Sequence, residues 1–160
     1  MYFPYFRGKQ YELIAIRESA GLFAEANFVP IIEPVKESLS GLRRAVDAID
    51  EAAAQAILIV NPGYGDHAAD PQAIHSLFFQ DLQEHRTVSV GIALREDVEL
   101  RDATRLMDAY DERHVTFIHA GFSEGRRLAE QLRRHGDNIR HVFILAQFTA
   151  TRNPHSLPLP

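Results

Sequence analysis

Cysteine and long apolar runs are both missing from this chain, and each absence narrows what the protein can be. Without cysteine there can be no disulfide, thiolate metal site or cysteine nucleophile. No apolar run approaches the roughly 20 residues that a membrane-spanning helix needs. A secretory signal has a basic segment followed by an apolar one, and the N-terminus has no such pair of segments. We therefore predict a cytoplasmic protein that does not enter a membrane.

An excess of positive charge is also missing. The chain has 17 Lys and Arg against 22 Asp and Glu, a formal net charge of −5. This balance gives no general attraction to nucleic acids or anionic membranes. One basic cluster is present, but Glu124 and Glu130 interrupt it and no aromatic residues lie between its members, so nucleic acid is not an expected partner. The cluster consists of Arg126, Arg127, Arg133, Arg134, His135 and Arg140.

Several catalytic and cofactor motifs are absent as well. No Gly-x-Gly-x-x-Gly follows the first predicted strand, so the dinucleotide-binding signature is missing. There is no Gly-x-Ser-x-Gly serine nucleophile and no His-Glu-x-x-His zinc helix. No cofactor is indicated. A divalent metal held by Asp66 and His67, together with Glu33 or His119, remains a minor alternative because no pair of these residues has a dependable ligand spacing.

The chain does contain a regular alternation of apolar runs and amphipathic segments. Apolar runs predict strands at 13–16, 28–35, 56–60, 88–94, 115–118 and 139–145, with helices between them. This order predicts a parallel sheet covered by helices, in one α/β domain spanning residues 1–145. Residues 146–160 contain three prolines and fit neither period, which predicts an extended or disordered tail.

Two architectures suit this order: an incomplete (β/α)8 barrel of about six units, or an open doubly wound sheet. The residues that end the predicted strands favour the barrel. Small and branched residues lie on the same face of each strand as its terminal polar residue. A barrel interior has this arrangement, with apolar layers beneath a polar layer at the mouth. The predicted inward sets are Arg17 with Ala15, Glu33 with Ile31, Asn61 with Ile59, Arg95 with Ala93 and Gly91, and His119 with Phe117.

The same strand ends supply the candidate site. The carboxyl ends of parallel strands meet on one face of a barrel, where active sites form. Glu33 or Glu18 is a candidate general base, and His119 a candidate acid or base. The other candidates would bind a carboxylate or phosphate, and they are Arg17, Arg95, Asn61 and Asp66. The alternative is a set of salt bridges across the mouth, with Glu33 paired to Arg17 or Lys36.

Three segments resemble a known family. The opening Tyr2–Glu18 (YFPYFRGKQYELIAIRE), with VPIIEP at 29–34 and LIVNP at 58–62, resembles the Beta-protein-like family of bacterial and phage proteins. The resemblance implies a barrel-like fold and a mobile-element or phage-related setting. It also implies relatives about twice this length, so this chain would be a truncation, a domain fragment or a frame-shifted end. It implies no reaction, so no residue inherits a catalytic role from it.

Two functions are therefore expected. The first is a barrel-type enzyme, or enzyme-derived domain, that binds a small anionic ligand at the strand carboxyl ends. The second is a non-catalytic interaction component of a mobile-element or phage-defence system. A barrel cut to six strands leaves two open edges, which invite association. We therefore also predict a homodimer, or a partner chain that covers those edges.

Overall fold

The computed structural model describes residues 1–133 and 138–144 of the chain. Within them, six parallel strands form one sheet that curls into a half-barrel. The strands are β1 (Tyr5–Phe6), β2 (Ile31–Ile32), β3 (Ala56–Ile59), β4 (Val88–Arg95), β5 (Val115–Ala120) and β6 (Ile139–Phe143).

Helices cover the outer face of this sheet. They are α1 (Gln10–Glu18), α2 (Ala20–Ala26), α3 (Ser40–Glu51), α4 (Gln72–Ser76), α5 (Leu100–Ala109) and α6 (Gly125–Leu132), and a π-helical segment (Leu77–Asp81) continues α4. Helix α3 illustrates why these segments are helical. Leu42, Val46 and Ile49 recur at spacings of three and four, so one face of the helix is buried in the core.

The order of the strands decides between the two predicted architectures. The six strands lie in the sheet in the same order as in the chain, and each neighbouring pair is parallel. A doubly wound sheet reverses its strand order at a switch point. No reversal occurs among the described strands, so the incomplete barrel is confirmed and the open doubly wound alternative is wrong.

The first strand lies earlier than predicted. The apolar run Leu13–Ile16 is part of helix α1, and β1 is the two-residue segment Tyr5–Phe6. The helix starts where the Glu12 side chain accepts a hydrogen bond from the Lys9 amide at 3.2 Å. An apolar run of four residues does not by itself distinguish a strand from a buried helical turn.

The core has two layers, one on each face of the sheet. The larger layer lies between the sheet and the helices. The smaller layer fills the concave face of the half-barrel and consists of Val29, Ile31, Ile57, Ile59, Ala93 and Ile118, with Phe3 and Val142 packed against it. The guanidinium of Arg140 lies 5.7 Å from the centre of the Phe3 ring. Side chains from the two edges of the sheet therefore meet across the concave face.

The helices of the structure can be compared with the length that a membrane span requires. Across residues 1–133 and 138–144, no helix has the length and apolar character needed to cross a bilayer. The predicted tail at 146–160 and the predicted domain boundary at 145 lie outside the described residues.

Candidate functional site

Glu33 is the central residue at the carboxyl end of the half-barrel. It follows β2 and is 1% exposed. One carboxylate oxygen, Oε2, accepts a hydrogen bond from the Tyr5 hydroxyl at 2.8 Å, and Oε1 accepts one from the Gly63 amide at 2.8 Å. Glu33 thus joins β1, β2 and the loop after β3. It forms no ion pair with any described residue, so the expected salt bridge to Arg17 or Lys36 is wrong.

Asn61 extends the pairing of β3 with β4. Its side-chain amide donates to the Ala93 carbonyl at 2.9 Å, and its side-chain oxygen accepts from the Ala93 amide at 2.8 Å. The carboxamide thereby replaces one residue pair of the parallel ladder. Arg95 closes this arrangement by donating to the Asn61 carbonyl at 2.8 Å and to Asp97 at 3.2 Å.

Charges and burial around Tyr5 keep its hydroxyl protonated. Burial raises the pKa of Tyr5 well above its usual range, and the charge and hydrogen bond of Glu33 raise it further. The positive charges of Arg7 and Arg95 act against this rise but do not cancel it. Arg7 itself lies over the Tyr64 ring at 5.0 Å. Tyr5 is therefore a hydrogen-bond donor to Glu33 rather than an acid at neutral pH.

The loop at residues 61–68 folds against the connection between β2 and α3. Gly65 has a positive φ of 79°, and a Cβ there would lie 2.2 Å from the Val35 carbonyl oxygen. Asp66 accepts from the Glu37 amide at 2.7 Å, and His67 Nε2 is 2.9 Å from the Lys36 carbonyl oxygen. These two side chains therefore hold the loop against the β2–α3 connection. Among the described residues, no three His, Asp or Glu side chains could share a metal ion.

Arg17 and Asp66 come together on the outer side of the same end. They line a cavity of about 510 Å³ between α1, along its length from Gln10 to Arg17, and the start of α3, which we call the α1–α3 groove. Lys36 and Arg44 also line it, above a partly apolar floor formed by Leu13 and Ile14. Neither Lys36 nor Arg44 forms an ion pair within the described part of the chain. Arg17 approaches only the exposed Glu18, at 3.9 Å.

The positions of Arg17 and Glu18 differ from the prediction. Both belong to the last turn of α1, so neither ends a strand. Arg17 reaches the α1–α3 groove, whereas Glu18 is an exposed residue at the end of the helix. The error follows directly from assigning the run 13–16 to a strand.

His119 lies on the opposite face of the sheet from Glu33. Ile118 belongs to the concave layer, so its neighbour His119 faces outward with Phe117, and the predicted inward set is wrong by one residue. His119 Nε2 is 2.9 Å from His141 Nδ1, and its ring stacks on Phe143 at 4.3 Å. Burial lowers the pKa of His119, and the neighbouring His141 lowers it further.

The structure thus divides the predicted site into two groups and two separate residues. Glu33, Asn61 and Arg95 meet at the concave mouth, and Arg17 and Asp66 meet in the α1–α3 groove. His119 and Glu18 each lie apart from both groups. Sequence reasoning missed Tyr5 as the partner of Glu33, and Lys36 and Arg44 as groove residues. The signal for Tyr5 was the aromatic opening segment, which contains β1. For Lys36 and Arg44 it was their place on either side of the start of α3.

Comparisons with known proteins found no relative of this chain: no family model, no curated protein and no solved structure matches it. The resemblance of the opening residues to the Beta-protein-like family stays a prediction.

Proposed function

We propose that this chain binds a small anionic ligand, a carboxylate or a phosphate, in the α1–α3 groove. The supporting observation is the convergence of Arg17, Lys36 and Arg44 on one open cavity of about 510 Å³. Cations that lack an acidic partner are available to a ligand, and guanidinium groups hold carboxylates and phosphates through paired hydrogen bonds.

The surroundings of these cations favour an anion. Two acidic residues line the groove, Glu37 and Asp66, and Asp66 already accepts a hydrogen bond from the Glu37 amide. The twelve-residue helix α3 begins at the groove with Ser40, and no side chain caps it. The positive end of its dipole adds to the attraction of the three cations. The partly apolar floor would contact a non-polar portion of the ligand.

The proposed activity is binding, without a proton-transfer step. Glu33 and His119 lie on opposite faces of the sheet and cannot act on one ligand. Both oxygens of Glu33 already accept hydrogen bonds. We therefore assign Glu33 to holding the mouth together, and we assign the ligand to the groove.

Calorimetric titration with inorganic phosphate and with succinate tests this proposal. We expect binding to the wild type, and about tenfold weaker binding for each of Lys36→Gln and Arg44→Gln, since each removes a charge-assisted hydrogen bond. Arg101→Gln is the matched control, because Arg101 is exposed and lies on α5. Equal affinity in the wild type and in the Lys36→Gln/Arg44→Gln double variant would refute the groove as the site.

A second candidate function is association through the sheet edges. Within the described residues, β1 and β6 are each paired on one side only. Large apolar side chains are exposed beside both edges, including Tyr2 at 58% and Phe143 at 69%. Such edges suit a homodimer or a partner chain. The resemblance to the Beta-protein-like family would place this association in a mobile-element or phage-defence setting.

The mass in solution tests the second candidate. We expect a dimer that dissociates on dilution, and a shift towards the monomer in Phe143→Ser. Leu22→Ser is a suitable control because Leu22 is also a large exposed apolar residue but lies on helix α2 rather than on an edge strand. A mass of 18.1 kDa at every concentration of the wild type would rule out self-association.

A further inference from the structure

A second cavity lies at the amino ends of strands β3 to β6, opposite the mouth. Its volume is about 470 Å³, within the range of small-molecule sites. Its lining is mostly polar and comes from the strands and from the loops that precede them. The polar side chains among its lining residues are Gln55, Arg86, Thr87, Ser89, His114, Thr116, Asn138 and Arg140.

The charge of this amino-end cavity has one sign. Arg86 and Arg140 line it, and its described lining includes no Asp or Glu. Neither arginine forms an ion pair with a described residue. Arg140 lies over the Phe3 ring at 5.7 Å, and its guanidinium donates no hydrogen bond to a described residue. Two cations without a counter-charge favour an anionic occupant.

Thr116 provides a second, independent observation. It is 1% exposed, faces the concave side, and lies in register with Arg140 on the neighbouring strand. Its hydroxyl makes no hydrogen bond to any residue of the described chain, although it lines the cavity. A hydroxyl that lines the cavity and forms no hydrogen bond within the described chain can bond a group that enters the cavity. By contrast, the nearby Ser89 hydroxyl donates to the Ala56 carbonyl at 3.1 Å.

We propose that the amino-end cavity binds the phosphate group of a small polar phosphate monoester. Two guanidinium groups and a hydroxyl supply more donors than the two oxygens of a carboxylate can use, whereas a phosphate has three terminal oxygens to accept them. Gln55 and Asn138 offer neutral polar groups for hydroxyls on the rest of the ligand. The cavity is also larger than a bare phosphate requires. This site is separate from the α1–α3 groove and does not depend on it.

Calorimetric titration with a hexose monophosphate, inorganic phosphate and the unphosphorylated hexose tests the proposal. We expect the monophosphate to bind more tightly than phosphate, and the hexose alone not to bind. Arg140→Gln and Arg86→Gln should each weaken the monophosphate about tenfold, and Thr116→Val about threefold. Thr116→Val preserves shape and volume, so it tests the site even where an arginine variant folds poorly.

Two further variants separate the two cavities. Arg126→Gln, which changes an exposed arginine on α6, is the control and should leave monophosphate affinity unchanged. Lys36→Gln/Arg44→Gln should remove only the binding that belongs to the groove. The proposal is overturned if the monophosphate does not bind, or if Arg140→Gln and Thr116→Val both retain wild-type affinity. It is also overturned if only the groove variants weaken binding. That last result would uphold the proposed function while rejecting the second site.

Discussion

The two ends of the half-barrel differ in whether their polar groups have partners within the described chain. At the carboxyl end, Glu33 accepts hydrogen bonds from Tyr5 and Gly63, and the Asn61 side chain pairs with the backbone of Ala93. At the amino end, Arg86 and Arg140 have no acidic partner in the described chain, and the Thr116 hydroxyl has no hydrogen-bond partner there. Polar groups that satisfy one another stabilise the fold, whereas cavity-lining groups without partners in the described chain can bind a ligand.

This difference distinguishes polar groups that stabilise the fold from polar groups that are available to bind a ligand. A buried carboxylate at the mouth of a barrel suggests catalysis, because active sites form at the carboxyl ends of such strands. Here the carboxylate holds three segments of backbone together instead. The two cavities with unpaired cations, the α1–α3 groove and the amino-end cavity, lie outside that network.

Removal of Glu33 should have the largest effect on stability. Glu33→Ala leaves the Tyr5 hydroxyl and the Gly63 amide without an acceptor and opens a cavity, so we expect a loss of about 3–5 kcal/mol in urea unfolding. Glu25→Ala on the exposed face of α2 is the control and should stay within about 0.5 kcal/mol of the wild type. A loss for Glu33→Ala no larger than the control would mean that the mouth network does not stabilise the fold.

Gly65→Ala should cause the next largest loss. A Cβ at this position would overlap the Val35 carbonyl oxygen in a left-handed backbone conformation, which we expect to cost about 2–3 kcal/mol. Gly21→Ala is the matched change, since nothing lies within 4 Å of the added Cβ and the residue is helical. It should stabilise the protein by up to about 1 kcal/mol. Both values follow from urea unfolding, and equal effects would contradict the packed loop.

Removing one hydroxyl from each end compares the two networks directly. Tyr5→Phe takes a donor from the buried Glu33 and should cost about 2 kcal/mol. Thr116→Val removes a hydroxyl that has no partner in the described structure, so its free energy of unfolding should be unchanged or up to about 1 kcal/mol higher. Thermal unfolding in a buffer without phosphate measures both. A larger loss for Thr116→Val than for Tyr5→Phe would reverse the comparison.

The smallest expected effect is a pH dependence from the outward-facing histidine pair. Burial lowers the pKa of both His119 and His141 in the folded chain, so the unfolded chain binds protons more readily. Their contribution to stability is present above the ordinary histidine pKa of about 6.5 and is lost as the pH falls below it. Chemical unfolding between pH 7.5 and 5 should show this decline.

The variant His119→Gln/His141→Gln should decline less over the same range. Some decline will remain because burial also lowers the pKa of His75. If the double variant loses stability with pH as steeply as the wild type, the pair is not responsible.

The general plan of the fold could be predicted from the sequence alone. Near-continuous apolar strands between amphipathic helices indicate a parallel sheet, since only a sheet covered by helices buries such strands on both faces. The inward faces of Glu33, Asn61 and Arg95 were also predictable, because side chains alternate along a strand and Ile31, Ile59 and Ala93 are apolar. The concave layer confirms these three assignments. The same rule failed for His119, where both faces of β5 are apolar and give no sign of register.

Contacts between residues distant in sequence were decided only by the tertiary structure. The two-residue strand β1 is defined by its pairing with β2, not by a pattern of its own. The partners of Glu33 lie 28 and 30 residues away, and local periodicity contains no information about such distances. The same holds for the amino-end cavity, where curling of the sheet brings Arg86, Thr116 and Arg140 around one space. Local sequence determined which elements form, and the closure of the half-barrel decided which polar groups found partners.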